Sequence, residues 1–297
     1  MTKNTTRKVR RLRCDNMKNY YEYDELKIYR GDDIYITEKI IVTQPTIGQI
    51  TEFGERRYFS AIQNLTSVGA DLKWQLWDKG IDYTTIEDYD LFINMIHPSV
   101  SSKRKILETL EENYGTDEEL DAMYDKLSKE DKYEMSINPL ELTLKDLDLA
   151  DFVACTDTRI NEVVLYNQEK DITIDRTVYM RMVDTVRKIH GFKRNNQIPA
   201  NETTKRDLIE DARDEYLANK NEPFKSVLLP FVSALVNHHG CSYTLQNIWD
   251  MNINAFFDSI KRIEKIQNAT LLLQGAYSGF ASLKGVTKLL RITYKML

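Results

Sequence analysis

The stretch that decides the fold is residues 152–191, FVACTDTRINEVVLYNQEKDITIDRTVYMRMVDTVRKIHG. It starts with three short apolar runs, 152–155, 162–166 and 171–174, separated by polar turn residues. This pattern predicts a small antiparallel β-meander. Asp175 then stands where a helix cap is needed, and apolar side chains recur at helical spacing as far as Gly191. Strands followed by an amphipathic helix predict an α+β fold.

An N-terminal β-hairpin is predicted before the first helices. Residues 26–30 and 34–37 alternate apolar and polar side chains around residues 31–33, Gly-Asp-Asp, a turn-type tripeptide. Thr46 and Gln49 form a capping-box pattern, which predicts a helix from residue 47 that bends at Gly54.

Further helices are predicted on both sides of the meander. In the first half they cover 71–77, 85–96 and 103–114, and the second of these is expected to stop before Pro98. Thr116 and Glu119 predict another capping box. In the second half a charged helix is predicted at 204–220. A strongly apolar helix is expected to begin at Pro223 and to kink at Pro230.

The end of the chain completes the predicted fold class, which is α+β and predominantly α-helical, with an N-terminal β-hairpin and a small antiparallel β-meander in the middle. Asn252 is expected to cap the last long helix, and the small residues of 274–282 predict irregular structure. The domain organisation predicted is a basic arm over 1–25, a hairpin and helical domain with an acidic segment over 26–136, and a meander and helical domain over 137–297.

Composition predicts a folded cytosolic protein. The chain has 297 residues, of which 42% are hydrophobic and 29% are charged, and these are values of a soluble globular protein. No apolar run approaches the length of a membrane span, and the N-terminus lacks the apolar segment of a secretory signal. Three cysteines far apart, Cys14, Cys155 and Cys241, indicate reduced thiols rather than a disulfide framework.

No catalytic, metal or cofactor motif occurs in the sequence. His238 and His239 adjoin Cys241, but neighbouring histidines on a helix diverge by about 100° and do not have zinc-ligand spacing. The carboxylates of the 204–220 helix alternate with cations, as on a solvated helix face. We therefore predict that the protein is not an enzyme and binds no cofactor or metal.

Charge is unevenly distributed along the chain. Residues 1–18 carry seven Lys and Arg against one acid, whereas residues 108–148 carry fourteen Asp and Glu against four Lys. A basic arm can contact DNA phosphates. The candidate nucleic-acid contacts are Arg7, Lys8, Arg10, Arg11 and Arg13. The alternative, which we favour, is an arm without a nucleic-acid role beside a solvated acidic face.

Two segments are candidates for partner binding. Trp74 and Trp77 lie three residues apart on one predicted helix, and tryptophan often anchors interfaces. The second is a polar loop between two helices, which contributes little to a core. Its candidate contacts are His190, Lys193, Arg194, Asn195 and Asn196. The alternatives are burial of the tryptophans in the core and a loop that serves only as a solvated connector.

Several of these segments resemble one family. They are residues 45–58, which contain PTIG and FGE, the stretch 72–82, the loop 188–199 (KIHGFKRNNQIP) and residues 274–280 (QGAYSGF). Together they resemble tail-module proteins of phages of low-GC Gram-positive bacteria, which are regarded as tail assembly chaperones or phage structural proteins. The resemblance implies a non-catalytic role.

The implied partners are the phage tape-measure protein and the major tail protein, with self-association as a further expectation and no membrane partner. A tail assembly chaperone would work in the host cytoplasm. The alternatives are a structural subunit at the neck, tail or baseplate, which would be found in the virion, and a DNA-binding accessory factor that uses the basic arm.

Overall fold

The computed structural model describes residues 24–114, 118–158 and 161–279. The chain is 57% helical, and the described ranges contain a two-stranded and a three-stranded antiparallel sheet. The predicted fold class, α+β and predominantly α-helical, is therefore confirmed. The strands are β1 (Ile34–Tyr35), β2 (Ile41–Val42), β3 (Val153–Asp157), β4 (Glu162–Asn167) and β5 (Ile172–Ile174).

Helices occupy most of the remaining chain. Those before the meander are α1 (Asp24–Arg30), α2 (Ile47–Phe53), α3 (Glu55–Thr66), α4 (Lys73–Asp78), α5 (Asp88–Leu91), α6 (His97–Ser99), α7 (Lys103–Tyr114), α8 (Glu118–Asp125) and α9 (Lys129–Ser136). Those after it are α10 (Arg176–His190), α11 (Glu202–Asn219), α12 (Leu228–Val236) and α13 (Ile253–Tyr277). Short 3-10 turns precede α4, β3 and α13.

The N-terminal sheet is shifted relative to the predicted hairpin. Residues 26–30 were expected to form its first strand but belong to α1, and β1 instead pairs with β2, with Ile34 opposite Val42. The prediction was wrong because an apolar and polar alternation over only five residues also fits a helical turn that buries one side chain. Here the buried side chain is Ile28. Gly31, at φ 87°, then ends the helix, since its amide donates to Lys27 O over 3.1 Å.

Local caps define α2 and α3 as predicted. The Thr46 hydroxyl accepts from the amide of Gln49, and the Gln49 side chain accepts from the amide of Thr46. Gly54 separates the two helices at φ 106° and ψ 107°, a backbone conformation that residues with a Cβ rarely adopt. α3 then buries Tyr58, whose hydroxyl reaches the second half of the chain.

Pro98 does not stop the helix that was predicted to end before it. A π-helical segment, Phe92–Ile96, connects α5 to α6, and Pro98 occupies the first turn of α6. The backbone therefore stays helical through Pro98 as far as Ser99. The predicted helix at 103–114 is confirmed as α7, whereas the capping box at Thr116 lies outside the described residues.

The meander and the helix after it form as predicted. β4 lies between β3 and β5, with Cys155 opposite Val164 and Leu165 opposite Ile174. Asp175 caps α10 by accepting from the amide of Val178 over 2.8 Å. The helix ends at Gly191, which has left-handed backbone angles, φ 65° and ψ 25°.

The C-terminal helices differ from the prediction in three places. α12 begins at Leu228 and not at Pro223, because the Glu55 carboxylate accepts from the amide of Leu228 over 2.7 Å and so defines the start of the helix. Pro230 falls in the first turn of α12, where proline is tolerated, so the kink that was predicted there does not form. α13 is capped by Asn252 as predicted, but it extends to Tyr277 through residues expected to be irregular.

The core joins residues from both sides of the predicted boundary near 136–139. Tyr179 of α10 stacks on Phe92 with ring centroids 4.3 Å apart, and Phe256 of α13 belongs to the same hydrophobic cluster as Tyr58 of α3. The division into domains stays a prediction. No helix in the described ranges combines the length and apolarity needed to cross a bilayer.

Candidate partner-binding surface

The two tryptophans of α4 have different environments. Trp74 packs against the core and lies beside the ring of Tyr216 on α11, with centroids 5.0 Å apart. Trp77 keeps 45% of its surface exposed. Of this pair, therefore, only Trp77 is an exposed residue, with just under half of its surface accessible.

His190 was predicted as a partner contact, but it is buried. Its Nδ1 lies 2.8 Å from the carbonyl oxygen of Val186, and its Nε2 lies 2.7 Å from the hydroxyl of Tyr58. A carbonyl only accepts, so Nδ1 carries the proton and Nε2 accepts from Tyr58. Burial lowers the pKa of His190 to about 4. The residue is thus a neutral core histidine with both nitrogens satisfied.

The loop after α10 is fastened to the first half of the chain. The Arg194 guanidinium binds the Asp88 carboxylate at 3.0 Å, and Asn195 Nδ2 donates to Asp71 Oδ1 over 2.8 Å. Lys193 and Asn196 are exposed, and Asn196 also accepts from Arg194. The loop is therefore more than a connector, because it ties α10 to α5. The five basic residues predicted as DNA contacts, Arg7, Lys8, Arg10, Arg11 and Arg13, lie outside the described residues.

Exposed apolar side chains concentrate in the segment from Phe224 to Tyr277. Of the 23 large apolar side chains that are exposed in the described chain, 11 lie between Phe224 and Tyr277. They are Phe224, Val227, Leu229, Phe231, Tyr243, Leu245, Trp249, Ile266, Leu271, Leu273 and Tyr277. We call this set, which is defined by its place in the sequence, the apolar surface.

Helix α12 contributes one part of the apolar surface. It buries Leu228, Val232 and Leu235, while Leu229 keeps 66% of its area exposed. The sequence signal for this exposure was available, because α12 is apolar almost all around and a single buried face needs only part of that. Phe231 is 37% exposed, and its ring centroid lies 6.3 Å from that of Phe257 on α13.

Helix α13 contributes the other part. Its first turn is buried through Ile253 and Phe256, but beyond Ile263 most of its residues are exposed, including Leu271 at 65%. Twenty-five residues correspond to a helix about 37 Å long, so its second half continues past the core contacts made by its first turns, although Ala276 near its end is buried.

The described residues contain no group of three or more His, Cys, Asp or Glu side chains placed to hold a metal ion. His238 and His239 lie in the turn after α12, beside Gly240 at φ 91°.

The segment that carries the apolar surface also has a family match. Residues 225–288 match the model described as the YomV second domain, of which 280–288 lie outside the described residues. YomV is a Bacillus phage SPbeta-region protein, so the match indicates a phage-associated protein. No curated protein and no solved structure matches the chain.

Proposed function

We propose that the protein is a phage morphogenesis protein that acts by binding other proteins, as a tail assembly chaperone for the tape-measure and major tail proteins. The observation that carries the proposal is the apolar surface of α12 and α13, which lies in the segment similar to the YomV second domain. Large exposed apolar patches mark protein interaction sites. The proposed work takes place in the host cytoplasm and involves no catalysis.

The chemistry of the surface fits an amphipathic helix as the partner. Such a helix lays its apolar face against apolar side chains, and a tape-measure protein of the implied family is long and helical. Covering one exposed leucine contributes about 1.5–3 kcal/mol before the cost of association is subtracted. Leu229 on α12 and Leu271 on α13 are the most exposed leucines of the apolar surface, with about two thirds of each accessible to a partner.

A comparison of exposed leucines with an equally exposed apolar residue elsewhere tests the binding surface. We expect the double variant Leu229→Ser and Leu271→Ser to recover at least tenfold less tape-measure protein when it is purified with a tag from phage-producing cells. Met123 on α8 is 66% exposed, so Met123→Ser is the matched control and should recover wild-type amounts. Equal recovery by both variants would exclude the apolar surface as the site.

The composition of mature particles separates the proposal from its main alternative, a structural subunit of the neck, tail or baseplate. A chaperone leaves before the particle is complete, so quantitative mass spectrometry of purified particles should find the protein far below one copy per tail. A fixed stoichiometry would reject the chaperone and establish the virion subunit.

A further inference from the structure

A second surface, distinct from the apolar one, is a cleft of about 280 Å³ between β1 and α10. Tyr35 forms part of one wall, and the opposite wall is basic. The cations that line it are Arg181, Arg187, Lys188 and Arg194, and Asp184 is the acid that lines it. Positive charge therefore exceeds negative charge, although the whole chain has a net charge of −5.

The cations of the cleft are not equally available. Arg187 is buried and already donates to Thr66 O over 2.7 Å and to Asp184 Oδ1 over 3.2 Å. Arg194 is bound to Asp88. The Arg181 side chain, by contrast, makes no hydrogen bond or ion pair with any other residue that the structure describes, and it is partly exposed in the cleft. A guanidinium in that situation is ready to bind a carboxylate or another oxyanion.

The opposite wall offers an unpaired strand edge. Ile36 N donates to Ile40 O over 2.9 Å, and Ile41 O accepts from Lys145 N, on the side away from β1. Antiparallel pairs alternate between hydrogen-bonded and non-bonded residues, so Tyr35, opposite Ile41, is a non-bonded position. Its amide and carbonyl therefore point away from β2. β1 has β2 as its neighbour in the described two-stranded sheet, which leaves this edge open.

We propose that this cleft binds an extended acidic segment of a partner polypeptide, which pairs with the open edge of β1 and places carboxylates against Arg181 and the neighbouring cations. Backbone pairing supplies affinity and alternate side chains supply specificity in this mode of recognition. Carboxylates at alternate positions of a strand repeat every ~7 Å and point to the same face, so a segment paired with β1 can present one of them to Arg181.

The basic wall of the cleft and the open edge of β1 together favour a peptide over a free phosphate or a nucleotide. A basic pocket alone would take any oxyanion, but an unpaired backbone edge beside it matches only a ligand with a backbone of its own. The proposal rests on α10 and β1 and not on the apolar surface. It can therefore fail while the proposed function stands, and the reverse also holds.

The test uses a fluorescein-labelled, end-capped hexapeptide in which valine and glutamate alternate, with binding to the full chain measured by fluorescence anisotropy at low salt. We expect saturable binding that is at least tenfold weaker for Arg181→Glu. Arg206→Glu, on exposed α11, makes the same charge change away from the cleft and should bind as the wild type does. Circular dichroism and thermal unfolding check that both variants fold, and Arg181→Gln provides a milder version of the same change.

A second peptide tests the strand edge. The same hexapeptide, N-methylated at alternate residues, keeps its charge but cannot pair with Tyr35, and we expect at least tenfold weaker binding. Equal affinity of both peptides would overturn the strand pairing. Absence of binding, equal loss in Arg181→Glu and Arg206→Glu, or displacement of the peptide by millimolar inorganic phosphate or adenosine monophosphate would overturn the peptide site.

Discussion

Acidification should destabilise this protein through His190 before most of its carboxylates are protonated. In the folded chain the imidazole is neutral, because it is buried and accepts from Tyr58 at one nitrogen while donating to Val186 O from the other. Burial lowers its pKa from 6.5 to about 4. The unfolded chain therefore binds a proton at a pH where the folded chain does not.

The sign and size of the effect follow from this pKa difference. A group whose folded pKa is lowered contributes its full stability above the unfolded pKa, and the contribution is lost as the pH falls toward the folded pKa. For His190 the window is pH 6.5 to about 4. A difference of roughly 2.5 units at 1.36 kcal/mol each gives a loss of about 3 kcal/mol across that window.

Urea unfolding at half-unit steps from pH 7.5 to pH 4 measures this loss. His190→Gln keeps a polar side chain near Tyr58 but cannot titrate, so its free energy of unfolding should fall by about 3 kcal/mol less than that of the wild type. Burial also lowers the pKa of His97, but both proteins retain that residue and its contribution cancels in the difference. Parallel pH profiles for the two proteins would refute the assignment of His190 as a neutral core residue.

Three smaller predictions concern contacts that connect distant parts of the chain. Glu55→Ala removes the acceptor at the start of α12 and should lower the free energy of unfolding by about 1–2 kcal/mol in urea titrations. Glu52 is exposed, so Glu52→Ala should change that free energy little, and equal effects of the two variants would contradict the cap. Gly191→Ala forces a left-handed alanine, with an expected loss of about 1 kcal/mol, and a stabilised variant would argue against that backbone geometry. Lys205 donates to Asp82 over 2.6 Å and holds the pKa of that carboxyl at about 2, so Lys205→Met should move it toward 3.8 in NMR titrations.

Elements with local signals were predictable from the sequence. The capping box at Thr46, the cap at Asp175 and the terminator at Gly191 depend on residues within three or four positions, and all three form. The start of α12 was misplaced because Glu55, which is distant in the sequence, accepts from the amide of Leu228. The local acceptor, Ser226 Oγ, accepts from the amide of Leu229 and lies beyond the predicted start at Pro223. The strand predicted at 26–30 was wrong because the local pattern is ambiguous. A short alternating pattern does not distinguish one helical turn from a strand.

The candidate surfaces could not be predicted from the sequence, because they depend on which side chains the tertiary structure covers. The sequence shows that α12 is apolar, but not that Leu228 is covered while its neighbour Leu229 is exposed. His190 was chosen because polar residues near a loop are often on the surface, yet packing against Tyr58 decided otherwise. The basic cleft joins β1 to α10, and no local pattern relates Tyr35 to Arg181.

The apolar surface is better explained by binding than by folding. Leu228, Val232 and Leu235 already bury one face of α12, so the helix has its core contacts without the outward residues. Exposed leucine gives no folding free energy by burial, and it increases the risk of aggregation. Such residues are retained where a partner covers them. Their concentration in the segment similar to the YomV second domain supports the proposal that a partner binds this segment.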